Sequence, residues 1–178
     1  MITIKGTANS GTSWYMLHKA VEYCKKRCSP SHYTTEQPTV WYYGEFMRQD
    51  IIARIEKLYP EENIIGTFGC LNLVDSPTNI PYDITDIIAN SMTWKAGDIV
   101  IIDAPVYINI PDCSADRNRD VINYALTALQ NHVDVVMYAK EQLNRRDKIE
   151  FTAVHTHKNF KWSIKSNGDT KYINLLSM

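Results

Sequence analysis

The sequence predicts an α/β domain with a mostly parallel central sheet flanked by helices, and three observations carry that prediction. Short apolar or period-2 runs alternate with stretches of helical period along most of the chain. One run, "GDIVIID" (97–103), is continuous and β-branched, as a strand covered on both faces should be. Over 178 residues, 44% hydrophobic and 22% charged composition suits a core of ordinary size in a single domain spanning 1–178.

Residues 2–5 read as the first strand, and from Ser13 to Arg27 the apolar positions Met16, Leu17, Ala20, Val21 and Cys24 recur at helical spacing. "SPSHYTTEQP" (29–38) is a loop by its Ser, Pro and Thr content. A strand at "TVWYY" comes next, then a helix over 46–58 carrying Ile51, Ile52, Ile55 and Leu58, which stops before Pro60. "CLNLVD" reads as a strand, "DITDIIANSM" as a helix and 97–103 as the clearest strand of all. Val121, Ile122, Ala125, Leu126 and Leu129 make 117–132 a helix, followed by the strand "DVVMYAK". The C-terminal part breaks the alternation: "EFTAVHTH", "FKWSIKS" and "TKYINLL", with "NGD" between the last two, read as antiparallel strands joined by a hairpin. There is no internal repeat, low-complexity tract or linker.

No apolar run approaches the roughly 20 residues that cross a bilayer, and the N-terminus lacks a basic segment followed by an apolar stretch and a cleavage site. A cytoplasmic protein without a membrane partner is expected. In that setting Cys24, Cys28, Cys70 and Cys113, which show no C-x-x-C spacing, are expected to be free thiols rather than disulfides. A net charge of −1 argues against a surface that traps polyanions everywhere. "KKRC" (25–28) reads as a solvated helix end. His155 and His157 share one strand face but have no third ligand at sensible spacing, so they read as solvent-side polar residues rather than a metal site.

The stretch "KGTANSGTSW" (5–14) raises the question of chemistry. A phosphate-binding loop reads G-x-x-x-x-G-K-[ST]; Gly6, Gly11 and Ser13 fall in place, and Thr12 stands where the lysine belongs. In such a loop, backbone N–H groups around Gly6, Asn9, Ser10, Gly11 and Thr12 cradle phosphate and the Ser13 hydroxyl holds Mg²⁺. Thr12 cannot supply the missing cation. One charge-assisted hydrogen bond is worth about 1.5–3 kcal/mol, so ATP affinity is expected to fall roughly ten- to a hundredfold. Lys5 lies just outside the loop, at a strand end, and is a poor substitute.

Three segments in this order resemble the ATPase core of the DnaB-type replicative helicases, within the RecA-like branch of P-loop ATPases. "YYGEFMRQDIIARI" is similar to a strand ending in a glutamate, here Glu45, with an arginine nine residues on, here Arg54. "GDIVIIDAP" resembles the Walker B strand with its terminal Asp103, and "VVMYAKEQLNRRD" resembles a stretch in which Gln142, Asn144 and Arg145 match. "NRDVINYALTALQNHVDVV" and "THKNFKWSIKSNGDTKYINL" extend the likeness over nearly the whole chain. No single motif is specific; their order and spacing carry the resemblance. A chain that starts on the first strand is expected to lack the helicase's N-terminal domain and subunit-linking helix, and so to fall short of a complete helicase.

The resemblance implies a RecA-like P-loop fold closed by the C-terminal hairpin. It also implies roles: Asp103 with Ser13 as Mg²⁺ ligands, Glu45 polarising the attacking water, and Gln142 sensing the γ-phosphate. Taken singly, Asp103, Glu45 and Gln142 each read as a polar cap at the carboxyl end of a strand; together, at family spacing, they favour an inherited site. The family donates an arginine finger across the subunit interface, and this chain offers only Lys158 or Lys161, which cannot reproduce a guanidinium fork. DNA contacts would come from Arg117, Arg119, Arg145 and Arg146, in segments that read equally well as solvated mixed-charge loops. The resulting expectation is a degenerate relative that binds ATP and Mg²⁺ weakly, hydrolyses little or none, and docks on a helicase or recombinase ring or on itself. Small stand-alone copies of this kind are the sort that phages and mobile elements carry. The alternatives are an active DNA-dependent ATPase with an atypical loop, and a nucleotide-independent single-stranded DNA-binding protein.

Overall fold

The computed structural model describes residues 2–6, 12–27, 38–61, 69–74, 82–104, 106–108, 110–133, 135–139, 148–156, 159–166 and 169–174. The elements run β1 (Ile2–Gly6), α1 (Thr12–Arg27), β2 (Val40–Gly44), α2 (Arg48–Leu58), β3 (Leu71–Val74), β4 (Tyr82–Asp83), α3 (Ile84–Ser91), β5 (Ile99–Asp103), β6 (Val106–Tyr107), α4 (Ala115–Leu129), a 3-10 turn (Gln130–His132), β7 (Val135–Ala139), β8 (Lys148–Thr156), β9 (Asn159–Ser166) and β10 (Asp169–Asn174).

Eight strands form one sheet in the order β10-β9-β8-β1-β7-β5-β2-β3. From β8 to β3 every neighbouring pair is parallel, while β8–β9 and β9–β10 are antiparallel. A parallel sheet needs helical cover on both faces, and the alternation of side chains along its central strands shows how that is met. Val40 and Tyr42 of β2, with Ile99 and Ile101 of β5, pack under α1 and α2. The intervening Tyr43, Val100 and Ile102 pack with residues of α3 and α4 on the opposite face. All five residues of β5 are buried, as the unbroken apolar run required. The helical face read from α1 is likewise in the core, with Met16, Leu17, Ala20, Val21 and Cys24 no more than 1% exposed.

Helix starts follow side-chain capping. Asp83 accepts from the Thr85 N–H at 2.8 Å to open α3, and Ser114 accepts from the Arg117 N–H at 3.3 Å to open α4. That second cap starts α4 at Ala115, ahead of the expected 117, so Arg117 and Arg119 sit in the first turns of a helix rather than in a loop.

At the amino ends of β2 and β5 the buried Asp98 accepts from the Thr39 N–H (2.8 Å), the Trp41 Nε1–H (2.9 Å) and the Lys95 N–H (3.0 Å). Three donors satisfy a carboxylate that burial would otherwise penalise, and they tie the starts of the two strands together.

Two expectations need correction. The two-residue strands β4 and β6 pair in parallel as a separate small sheet that the sequence reading lacked. Cys70 is disulfide-bonded, its partner lying outside the described residues, whereas Cys24 and Cys113 are free. The free-thiol expectation rested on compartment, a property of the cell and not of the chain's geometry.

Candidate functional site

Parallel pairing brings the carboxyl ends of β1, β7, β5, β2 and β3 to one edge of the sheet, and the chain leaves that edge at each strand end. In open α/β sheets this edge is where ligands bind. Gly44 at the end of β2 pairs with Asp103 at the end of β5, and the Glu45 N–H still donates to the Asp103 carbonyl at 3.1 Å. Glu45 and Asp103 are therefore held on adjacent strand ends, with the Glu45 residue exposed and Asp103 only 6% exposed.

Helix α1 starts beside them. The Ser13 Oγ donates to Asp103 Oδ1 at 3.2 Å, so the hydroxyl and carboxylate expected to share a magnesium ion already touch. The other carboxylate oxygen, Oδ2, accepts from the Tyr42 hydroxyl at 2.6 Å. Sequence reasoning missed Tyr42 as a member of this cluster: it looked like one more aromatic in a strand, and its partner lies 61 residues away. Gly44 makes the contact feasible. A Cβ there would lie 2.6 Å from Ile51 Cδ1 and 2.9 Å from Tyr42 Cε1, so the bare backbone is what lets the Tyr42 ring pass beneath it to the acid. From below, the Tyr82 hydroxyl donates to the carbonyls of Gly44 (3.2 Å) and Val74 (3.0 Å), tying the ends of β2 and β3.

Burial raises the Asp103 pKa to about 6; the hydrogen bonds from Tyr42 and Ser13 oppose this, the Glu45 charge adds to it and the Arg54 charge relieves it. The same surroundings and the bond to Asp103 drive the Tyr42 phenol well above its ordinary value, so it remains a donor. A buried carboxylate with a hydroxyl on each oxygen is a fitting receptor for a divalent cation or for the waters of its shell, since a cation offsets the desolvation that lifts the pKa. Ser13 and Asp103 would hold such an ion.

Arg54 lies on α2 with its Cζ 3.7 Å above the Phe46 ring and 5.3 Å from the Trp14 ring. Lys57, one turn on, lies 5.8 Å from the same Trp14 ring.

Of the expected residues, then, Ser13, Glu45 and Asp103 are brought together, and Thr12 sits one residue before Ser13 at the start of α1. Gly6 ends β1 on the same edge of the sheet. Asn9, Ser10, Gly11, Gln142, Arg145, Arg146 and Lys158 lie outside the described residues. Lys161 is in β9, paired with Val154 and Asn174. Arg119 forms an ion pair with Asp116 of its own helix at 3.2 Å. Among the described residues, no group of three or more His, Cys, Asp and Glu could hold a metal ion unaided, and no helix is long and apolar enough to cross a membrane.

No family model matches the sequence, and no curated protein matches it. Solved structures do match. The chain is similar in fold to a separately solved ATPase domain, with a TM-score of 0.60 and 10% identity over 97% of this chain and 79% of that one. It is also similar to a DnaB-like replicative helicase whose structure was determined with its interactions with primase, with a TM-score of 0.57 and 9% identity. That second match covers 98% of this chain and 55% of the helicase chain, so the protein spans little more than half its length. At this identity the likeness is one of fold alone: an α/β domain with a parallel sheet, consistent with a RecA-like arrangement.

Proposed function

We propose that the protein is a nucleotide-binding RecA-like module of DNA replication or recombination that docks on a helicase or recombinase ring, or on copies of itself, and hydrolyses ATP weakly or not at all. The observation that carries this reading is the contact of Ser13 with Asp103 beside Glu45, at the carboxyl edge of a parallel sheet. Those are the hydroxyl and two carboxylates that magnesium-assisted phosphoryl transfer uses. Against turnover stands Thr12, which offers no ammonium to the β- and γ-phosphates. A preorganised group stabilising transition-state charge is worth about 2.7–4 kcal/mol, so its loss leaves binding better preserved than catalysis. The fold's likeness to a DnaB-like replicative helicase supports a partner of the same kind, and one retained face would be enough to dock on a ring built from heterologous contacts. The protein is proposed to act in the cytoplasm.

Calorimetric titration with ATP, with and without Mg²⁺, tests the reading. Binding in the micromolar range or weaker, strengthened by Mg²⁺ and lost in Ser13→Ala, is expected; no binding under either condition overturns it. Thr12→Lys is expected to tighten ATP binding and raise hydrolysis from near zero. A second reading, an ATPase active as it stands, is favoured by the retained Glu45. It predicts turnover in the natural sequence that disappears in Glu45→Gln.

A further inference from the structure

We propose that Arg54 supplies the phosphate-binding cation that Thr12 lacks, with its guanidinium fork taking the terminal oxygens of a nucleoside triphosphate. This rests on the nucleotide-site reading above and names the residue that makes the site competent without a loop lysine.

Position comes first. Ile51 and Ile55 anchor α2 in the core, each 1% exposed. Arg54 precedes Ile55 and follows Ile51 by three residues, so it lies at the margin of the buried face and is itself half-buried. Its guanidinium is in van der Waals contact with the Phe46 ring, with Trp14 nearby. Phe46 directly follows Glu45, and Trp14 directly follows Ser13. The cation is thus held between the residues next to the two side chains that would address the attacking water and the magnesium ion.

Chemistry comes second. Stacking occupies a flat face of a guanidinium and leaves its five N–H donors directed outward from the rim, in the geometry that matches phosphate oxygens. Among the described residues the Arg54 guanidinium makes no hydrogen bond and no ion pair, its contacts being the two aromatic rings. Those ring contacts leave the edge of the guanidinium as its hydrogen-bonding surface, and the oxygens of an incoming polyanion suit it. Its charge also reaches the buried end of the cluster, where it acts on both Asp103 and Tyr42. Lys57 on the next turn, exposed and beside Trp14, adds a second positive charge to the approach. A purely structural role, in which Arg54 only stacks on Phe46 and Trp14, predicts a loss of stability on its removal and no change in ligand affinity.

The test compares wild type, Arg54→Gln and the double variant Thr12→Lys/Arg54→Gln by calorimetry with ATP and with inorganic triphosphate. Arg54→Gln is expected to weaken both ligands about ten- to a hundredfold, the span of a charge-assisted contact, and the double variant is expected to regain that affinity. If wild type binds ATP and Arg54→Gln binds it equally well, the inference is overturned and the nucleotide reading stands. If wild type binds neither ligand, both fall. Should Arg54→Gln fail to fold, the Arg54 Nε–H resonance of wild type carries the test: it is expected to move on titration with inorganic triphosphate, and an unmoved resonance at saturation overturns the inference.

Discussion

Asp103 is a carboxylate whose surroundings disfavour its charge, and the sign of that effect can be read in a stability profile. Its folded-state pKa, raised by burial from 3.8 to about 6, means the native protein holds the proton more tightly than the unfolded chain. The group's favourable contribution is therefore complete below pH 3.8 and is lost as pH rises through about 6. In the metal-free protein Asp103→Asn is expected to be more stable than wild type above pH 7, by up to about 3 kcal/mol, with the difference vanishing near pH 4. Thermal melts of the two proteins across that range check it, and a pH-independent difference refutes it. Glu22 behaves oppositely. Burial works against its ionisation, but hydrogen bonds and charge from Lys19 and Lys26 outweigh this and bring its pKa down to about 2. Its contribution is present above pH 4.5 and fades as pH falls through about 2. Lys26 is well exposed, so solvent screening holds the net value to about 0.5–1 kcal/mol. Glu22→Gln should cost that much in urea denaturation at pH 7 and only a small part of it at pH 2.

At the level of elements, the strand end carrying Gly44 is the most constrained stretch of the site. A methyl group there meets the Tyr42 ring and the tip of the fully buried Ile51. Gly44→Ala is expected to destabilise the fold by about 1–3 kcal/mol, as overpacking does, and to pull the Tyr42 hydroxyl off Asp103. Equilibrium unfolding measures the first effect, and the phenol's ultraviolet difference spectrum the second. The elements themselves were mostly legible. β5 announced itself because a strand buried on both faces has no polar alternation, and α1 because five apolar residues at helical spacing form one stripe. β4 and β6 were not, since two residues cannot display a period. Tyr42 went unseen for a related reason: periodicity assigns it a face, Tyr42 with Ile101 across the ladder, but not the distant acid that its hydroxyl reaches.

The whole molecule assembles its site through strand order. Because β5 lies between β7 and β2, the residues ending β5 and β2 become neighbours although 58 positions separate Glu45 from Asp103. The order and spacing of three weak motifs pointed to that neighbourhood, whereas hydrophobic periodicity alone gave only an α/β domain. Arg54 was marked by its spacing from Glu45, but its stacking on Phe46 and Trp14 joins α2 to two other segments, and spacing along the chain does not show that meeting. The same scale governs any encounter with DNA. The net charge is −1, and Arg119, one of the four arginines expected to meet DNA, is paired to Asp116 of its own helix. Filter binding to single-stranded DNA is expected to be weak, with affinity falling by less than about the second power of salt concentration, given roughly 0.7 per phosphate contact. A steeper dependence would favour the DNA-binding alternative.

Asp98 lies at the far end of the two strands that present Glu45 and Asp103, about five residues and roughly 16 Å away at about 3.3 Å per residue. By clasping Thr39, Trp41 and Lys95 it sets where each strand begins, and a strand's beginning decides which of its residues ends up at the rim. The alignment of the two rim acids is thus fixed like the teeth of a zip, by the stop at its base.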